Sequence, residues 1–208
     1  MQFPRTLLEL AGKELSPPKA LGSALLIIDA QRFYVSGPLE LPNIGLALRG
    51  LQAALDRARS EGVPVVHVVH HGKPNTLFDP DGPYGSIVSE AAPLASEPVL
   101  AKHLPSAFTG TRLESLLREW KVTTPTFAGF MTHMCVSSSV RAAAELGFEP
   151  WVVADACAAR PLRDGQGGIL DAQMVHRAHL ASLADRFAGI IDSRDLFRSS
   201  PRAPDRVG

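Results

Sequence analysis

Residues 126 to 141 read TFAGFMTHMCVSSSVR. An apolar run from Thr126 to Phe130 passes through Gly129 into a small polar turn, and the alanine-rich stretch from Val136 to Leu146 then carries the helical period of about 3.6 residues. The stretch reads as strand, tight turn and helix. Cys135 falls where the helix begins, so unpaired backbone N–H groups and the positive end of the helix dipole are expected to favour its thiolate. An ordinary thiol, with a pKa near ~8.5, is only a few per cent ionised at neutral pH, so such placement has chemical weight. Many buried cysteines only pack, and on this stretch alone packing and nucleophilic catalysis both stand.

Upstream, SALLIID (23 to 29) is an almost unbroken apolar run ending in an acid, which suits a parallel strand buried on both faces. Asn43 to Glu61 has helical spacing, with Gly62 where a C-terminal cap belongs, and VPVVHVVHH (63 to 71) is a second strand. Gly72 to Glu97 is rich in Gly, Pro and Asp and too long for a plain connection, which points to a pocket wall or an interface. A short strand, PVLAK (98 to 102), precedes a helix from about Thr111 to Trp120, whose start the Thr111 and Glu114 pair marks as a capping box. Downstream, EPWVVADA (149 to 156), a helix around Ala172 to Phe187 and AGIID (188 to 192) complete six β units. The class is therefore α/β, a doubly wound, mostly parallel six-stranded sheet with helices on both faces in a three-layer, Rossmann-like arrangement. Residues 1–20 read as a lead-in with a short helical pattern, 21–195 as the single domain, and 196–208 as a flexible tail.

Composition excludes several classes of function. Lys+Arg and Asp+Glu are both 21 and no basic run occurs, so neither nucleic acid nor a membrane is an expected partner; a small molecule is. No apolar run approaches membrane-spanning length and the first residues lack a secretion-signal core, which makes the cytoplasm the expected location. Cys135 and Cys157 form no CxxC pair and are read as free thiols, Cys157 as a packed residue. No dinucleotide or P-loop motif is present, so no cofactor is expected.

In an open α/β sheet, ligands bind beyond the carboxyl ends of the strands. Asp29 ends the first strand, Lys102 the short third one, and Cys135 follows the fourth, so all three should face one edge of the sheet. Singly, Asp29 could cap a turn and Lys102 could be a solvated loop charge. Together, an acid, a cation and a thiol form a chemical set: the carboxylate takes the thiol proton and later returns it, and the ammonium supports both anions.

From about Ala24 to Asp192 the chain resembles the isochorismatase-like cysteine hydrolases, in their amidohydrolase branch. The matching elements are Asp29-Ala30-Gln31; the block from Lys102 to Phe108 with Gly110, Thr111 and Leu113; and GFMTHMCV with Arg141, Ala144, Gly147 and VVADACA. The resemblance implies a catalytic triad of Asp29, Lys102 and Cys135, a cis peptide at Phe130-Met131, and an oxyanion hole of the Met131 and Cys135 backbone N–H groups. It also implies a homodimer or homotetramer. Nicotinamidases of this family bind a metal through an Asp-x-His pair that HVVHHGKPNTLFDPDG lacks, and adjacent His70 and His71 should point to opposite faces, so no metal is expected. Gln31, Phe33, His71 and Phe108 are candidates for substrate binding, while His67, His133, His176 and His179 read as structural or surface residues. Because true isochorismatases typically lack the cysteine, the expected reaction is C–N hydrolysis of a small amide or ureido compound through a Cys135 thioester. The alternatives are vinyl-ether hydrolysis with Asp29 as the acid, and a binding protein without turnover.

Overall fold

The computed structural model describes residues 4–197. A first short helix, α1 (Leu7–Leu10), is closed by a reciprocal capping box between Thr6 and Glu9, and its Leu7 N–H donates to Asp185 Oδ1 at 3.0 Å. β1 (Ser23–Ile28) follows, buried at every position as its unbroken apolar run requires. α2 (Ile44–Ser60) places Ile44, Ala47, Leu48, Leu51, Ala54, Leu55 and Ala58 on its buried face, the three-and-four spacing of a helix lying on a sheet. β2 (Val65–His70), β3 (Val99–Lys102) and α3 (Leu113–Glu119) come next, then β4 (Thr124–Phe130) and α4 (Ser137–Glu145). β5 (Trp151–Ala158), a two-stranded hairpin of β6 (Leu162–Arg163) and β7 (Ile169–Leu170), α5 (Ala172–Arg186) and β8 (Gly189–Ile191) complete the order.

The six long-sheet strands run β3-β2-β1-β4-β5-β8, every neighbouring pair parallel. The chain therefore winds outward from β1 to one edge, returns to β4, and winds outward to the other, which puts the switch point between β1 and β4. One core layer joins the inner face of α2 to Leu25, Ile27, Phe130 and Val153; the other joins α3 and α4 to Leu26, Ile28, Phe127 and Val152. Alternate residues of each strand feed opposite layers, as the two-residue strand period demands. No described helix is long and apolar enough to cross a membrane.

Four details differ from the sequence reading. Thr111 and Glu114 form no capping box: Thr111 Oγ1 accepts from Leu113 N–H at 3.1 Å and donates to the Ala107 carbonyl at 2.6 Å, while Glu114 pairs with Arg118. The helix starts later than supposed, which leaves Thr111 one residue too early. β5 runs on to Ala158, because its pairing with β4 skips from Phe127↔Val152 to Gly129↔Cys157 and resumes beyond a bulge. The β6–β7 hairpin is too short to leave a periodic signal. Leu196 and Phe197, assigned to a flexible tail, are buried, and Arg57 Nε donates to the Leu196 carbonyl at 3.2 Å; residues 198–208 lie outside the described residues.

Candidate active site

Asp29 sits one residue beyond β1 with φ of 48°, a left-handed conformation that an L-residue adopts only where its surroundings hold it. They do: its N–H donates to the Val68 carbonyl at 2.8 Å, and its carbonyl accepts from Gln31 N–H at 2.7 Å. On the neighbouring strand Gly129 has φ of 116°, and a Cβ there would run into the Ile28 carbonyl oxygen. Only glycine lets β4 pass so close to the end of β1. The Phe130-Met131 peptide is cis.

Beyond it, Thr132–Val136 form a single wide π-type turn, and Cys135 lies within that turn, just before α4. Ser139 secures the turn from below. Its Oγ donates to the Cys135 carbonyl at 2.7 Å and accepts from Ala107 N–H at 2.9 Å, tying the loop after β3 to the thiol-bearing segment.

Lys102, at the end of β3, reaches across to this point with its side chain fully buried. Its Nζ lies 2.8 Å from Asp29 Oδ2 and 3.3 Å from Cys135 Sγ. The three groups expected from the sequence are thus in mutual contact. Asp29 and Lys102 have no exposed surface and Cys135 only 6%. Burial raises the Asp29 carboxyl above its ordinary range against the opposing pull of Lys102. Burial, with Asp29 nearby, also pushes the Cys135 thiol up to about 12, so the turn does not yield a standing thiolate. Burial therefore opposes the thiolate-favouring effect expected from the helix start, and it also makes the raised Asp29 carboxyl a stronger base than a solvated one.

The other sequence candidates divide. Gln31 is fully buried, but its amide is committed to the backbone: Nε2 donates to the Gly85 carbonyl at 2.7 Å and the His70 carbonyl at 3.2 Å, and Oε1 accepts from His70 N–H at 2.8 Å. It shapes the site and is not directed at a substrate. Phe33 is buried one layer back, edge-on to Phe78 with ring centres 5.2 Å apart. His71 N–H donates to the Lys102 carbonyl at 2.9 Å while its ring faces His103. Phe108 stacks on Phe148, whose ring also carries the Arg118 guanidinium. Met131, a backbone candidate, is buried, and its N–H donates to no backbone carbonyl among the described residues.

Sequence reasoning missed two residues here. His70 Nδ1 lies 3.2 Å from Lys102 Nζ, and Tyr34 has its phenol raised by burial first and by the nearby Asp29 and Cys135 second. The alternation of side chains along β2 was the available signal for His70: if His71 turns outward, His70 turns inward. Of the remaining histidines, His67 is buried against Glu97 and His176 pairs with Thr132 Oγ1 at 2.8 Å. Among the described residues no group of three or more His, Cys, Asp or Glu is arranged to hold a metal ion. A surface cavity of about 620 Å³, bounded by α2, α5 and Cys157, is lined by none of the triad.

The Isochorismatase domain signature matches residues 23–195. A secreted isochorismatase effector of Verticillium dahliae is 34% identical over 177 residues, covering 84% of this chain and 90% of that one. A maleamate amidohydrolase of Pseudomonas putida is 29% identical over 192 residues, covering 84% and 85%. The crystal structure of an isochorismatase from Pseudomonas putida KT2440 superposes with a TM-score of 0.90 at 37% identity, covering 93% of this chain and all of that one. With the sheet order and the domain match in agreement, the chain belongs to the isochorismatase family of hydrolases.

Proposed function

We propose that this protein is a cysteine hydrolase that cleaves a C–N bond of a small amide or ureido compound. The observation that carries the reading is the buried Lys102 ammonium, which bridges a carboxylate at 2.8 Å and a thiol at 3.3 Å. A maleamate amidohydrolase among its relatives supports the same class of bond.

In this reading Cys135 Sγ attacks the substrate carbonyl as its proton passes to Asp29. The tetrahedral oxyanion is held by the Met131 and Cys135 backbone N–H groups. Collapse breaks the C–N bond while Asp29 gives its proton to the departing nitrogen, leaving a thioester on Cys135. A water molecule, deprotonated by Asp29, then attacks the thioester; the acid leaves and the thiolate recovers its proton from Asp29. One water is consumed and one acid and one amine or ammonia are released. Lys102 keeps the carboxylate competent as a base and stabilises negative charge on sulfur.

Intact-mass spectrometry of the protein, quenched during turnover of a panel of small amides and ureido compounds, tests the reading. An acyl adduct mapped to Cys135, absent in Cys135→Ala and accompanied by amine or ammonia release, is the expected result. Turnover by Cys135→Ala at the wild-type rate would eliminate the covalent route, and a vinyl-ether substrate turned over without amine release would favour the alternative.

A further inference from the structure

The Lys102 ammonium carries three N–H donors, and the structure offers it three acceptors: Asp29 Oδ2 at 2.8 Å, Cys135 Sγ at 3.3 Å and His70 Nδ1 at 3.2 Å. The mechanism above uses the first two. We propose that His70 is a positioning residue, a neutral imidazole whose Nδ1 takes the third ammonium hydrogen and so fixes the direction in which Lys102 presents the other two.

The chemistry allows only one such arrangement. A protonated imidazole would turn an N–H toward a cation, so Nδ1 must hold a lone pair and the proton must sit on Nε2. The surroundings enforce this state: Lys102 is in contact, His103 and His71 lie nearby, and the Asp29 carboxylate is paired with Lys102. Burial and the Lys102 charge hold the His70 imidazole down at about 4, so it stays neutral through the physiological range. The ring is also held in place. Gln31 binds the His70 backbone at both N–H and carbonyl, and Phe78 packs edge-on to the imidazole with ring centres 5.0 Å apart. A fully buried ammonium with an unfilled donor would be costly and free to turn, and this fixed acceptor removes that freedom.

The proposal rests on the reading of Cys135 as the reactive thiol, but it can be tested without a substrate. The pH dependence of Cys135 alkylation by iodoacetamide, quantified by peptide mapping, reports how strongly Lys102 supports the sulfur anion. Asparagine places an oxygen acceptor where Nδ1 stands, whereas glutamine places it one bond farther out, near Nε2. Both are polar and similar in bulk. His70→Gln should therefore slow Cys135 alkylation at fixed pH by about ten-fold, the equivalent of one pKa unit, and shift the profile upward. His70→Asn should stay within about three-fold of wild type, which is under half a unit. Cys157 labelling serves as the check on folding, since that thiol is buried and remote from His70's ring contacts. Equal profiles for Asn and Gln, or a Gln profile on top of wild type, would overturn the proposal. If both variants fold and split as expected while no amide is ever turned over, the positioning role stands and the proposed reaction falls.

Discussion

Two carboxylates at opposite ends of β3 are buried beside cations, yet their acidities move in opposite directions. Glu97, just before the strand, receives a two-pronged Arg59 guanidinium at 2.8 and 2.9 Å, the Leu94 N–H at 2.9 Å and His67 Nε2 at 3.0 Å. Its carboxyl is held down at about 2 despite burial. Asp29, level with the far end of the strand, is fully buried and has Lys102 at 2.8 Å and the Cys135 thiol as its side-chain partners. Its carboxyl is raised. The lesson lies in the balance between burial, which is complete at Asp29, and the number of donors set against it, which is larger at Glu97. A carboxylate saturated with N–H groups is a fixture, while one left half-solvated by protein retains affinity for a proton.

The comparison predicts which change each residue will tolerate. The largest effect belongs to Asp29→Asn, which should lower amide turnover by about 10³-fold or more because an amide neither takes nor returns the proton. A variant with near-normal kcat would place the proton transfer elsewhere. Lys102→Ala should be nearly as severe, and the double variant little worse than either, since the groups act as a unit; independent multiplication of the two losses in stopped-flow acylation would separate them.

Glu97→Gln should instead cost stability, roughly 2 to 4 kcal/mol in denaturant unfolding at pH 7, with kcat changed by less than about three-fold. The sign follows from linkage: Glu97 is lowered from 4.5 to about 2, so its contribution is present above about 4.5 and is lost as pH falls toward 2. The variant should show a flatter fall of stability across that interval, and an unchanged slope would mean that Glu97 is not what the acid limb reports. The smallest effect is expected at the second thiol. Cys157 has no Lys102 and no Asp29 at hand; burial pushes its thiol up to about 12, with the Gly129 backbone as a hydrogen-bond partner and Asp155 nearby. Cys157→Ala should leave turnover within about two-fold of wild type, and limited iodoacetamide labelling should mark Cys135 first; the reverse order of labelling would break the contrast between the two cysteines.

What could be read in the sequence was whatever depends on position along a strand. Asp29, Lys102 and Cys135 each follow or end an apolar run, and parallel strands bring such ends together without further information. What could not be read depends on where side chains point and how far they reach. Thr111 and Glu114 have the spacing of a capping box, but the true helix start depends on tertiary packing. Gln31 looked free to bind a ligand because nothing local shows that the chain will bring Gly85 and His70 to its amide. The thiol's environment was misjudged for the same reason: the helix start is local and legible, whereas the burial that outweighs it comes from the whole fold.

The Gln31 amide has a kinetic consequence. It joins the end of β2 to the Gly85 backbone, and the segment around it lies along residues 30–33 through Arg32 N–H to Ser86, Phe33 N–H to Tyr84 and Val88 N–H to Ala30. That wall cannot lift at Gly85 without releasing Gln31, and Gln31 cannot turn without releasing His70. In amide hydrogen exchange the His70, Arg32 and Phe33 protons should therefore leave through one cooperative opening with a shared free energy, well below that of global unfolding.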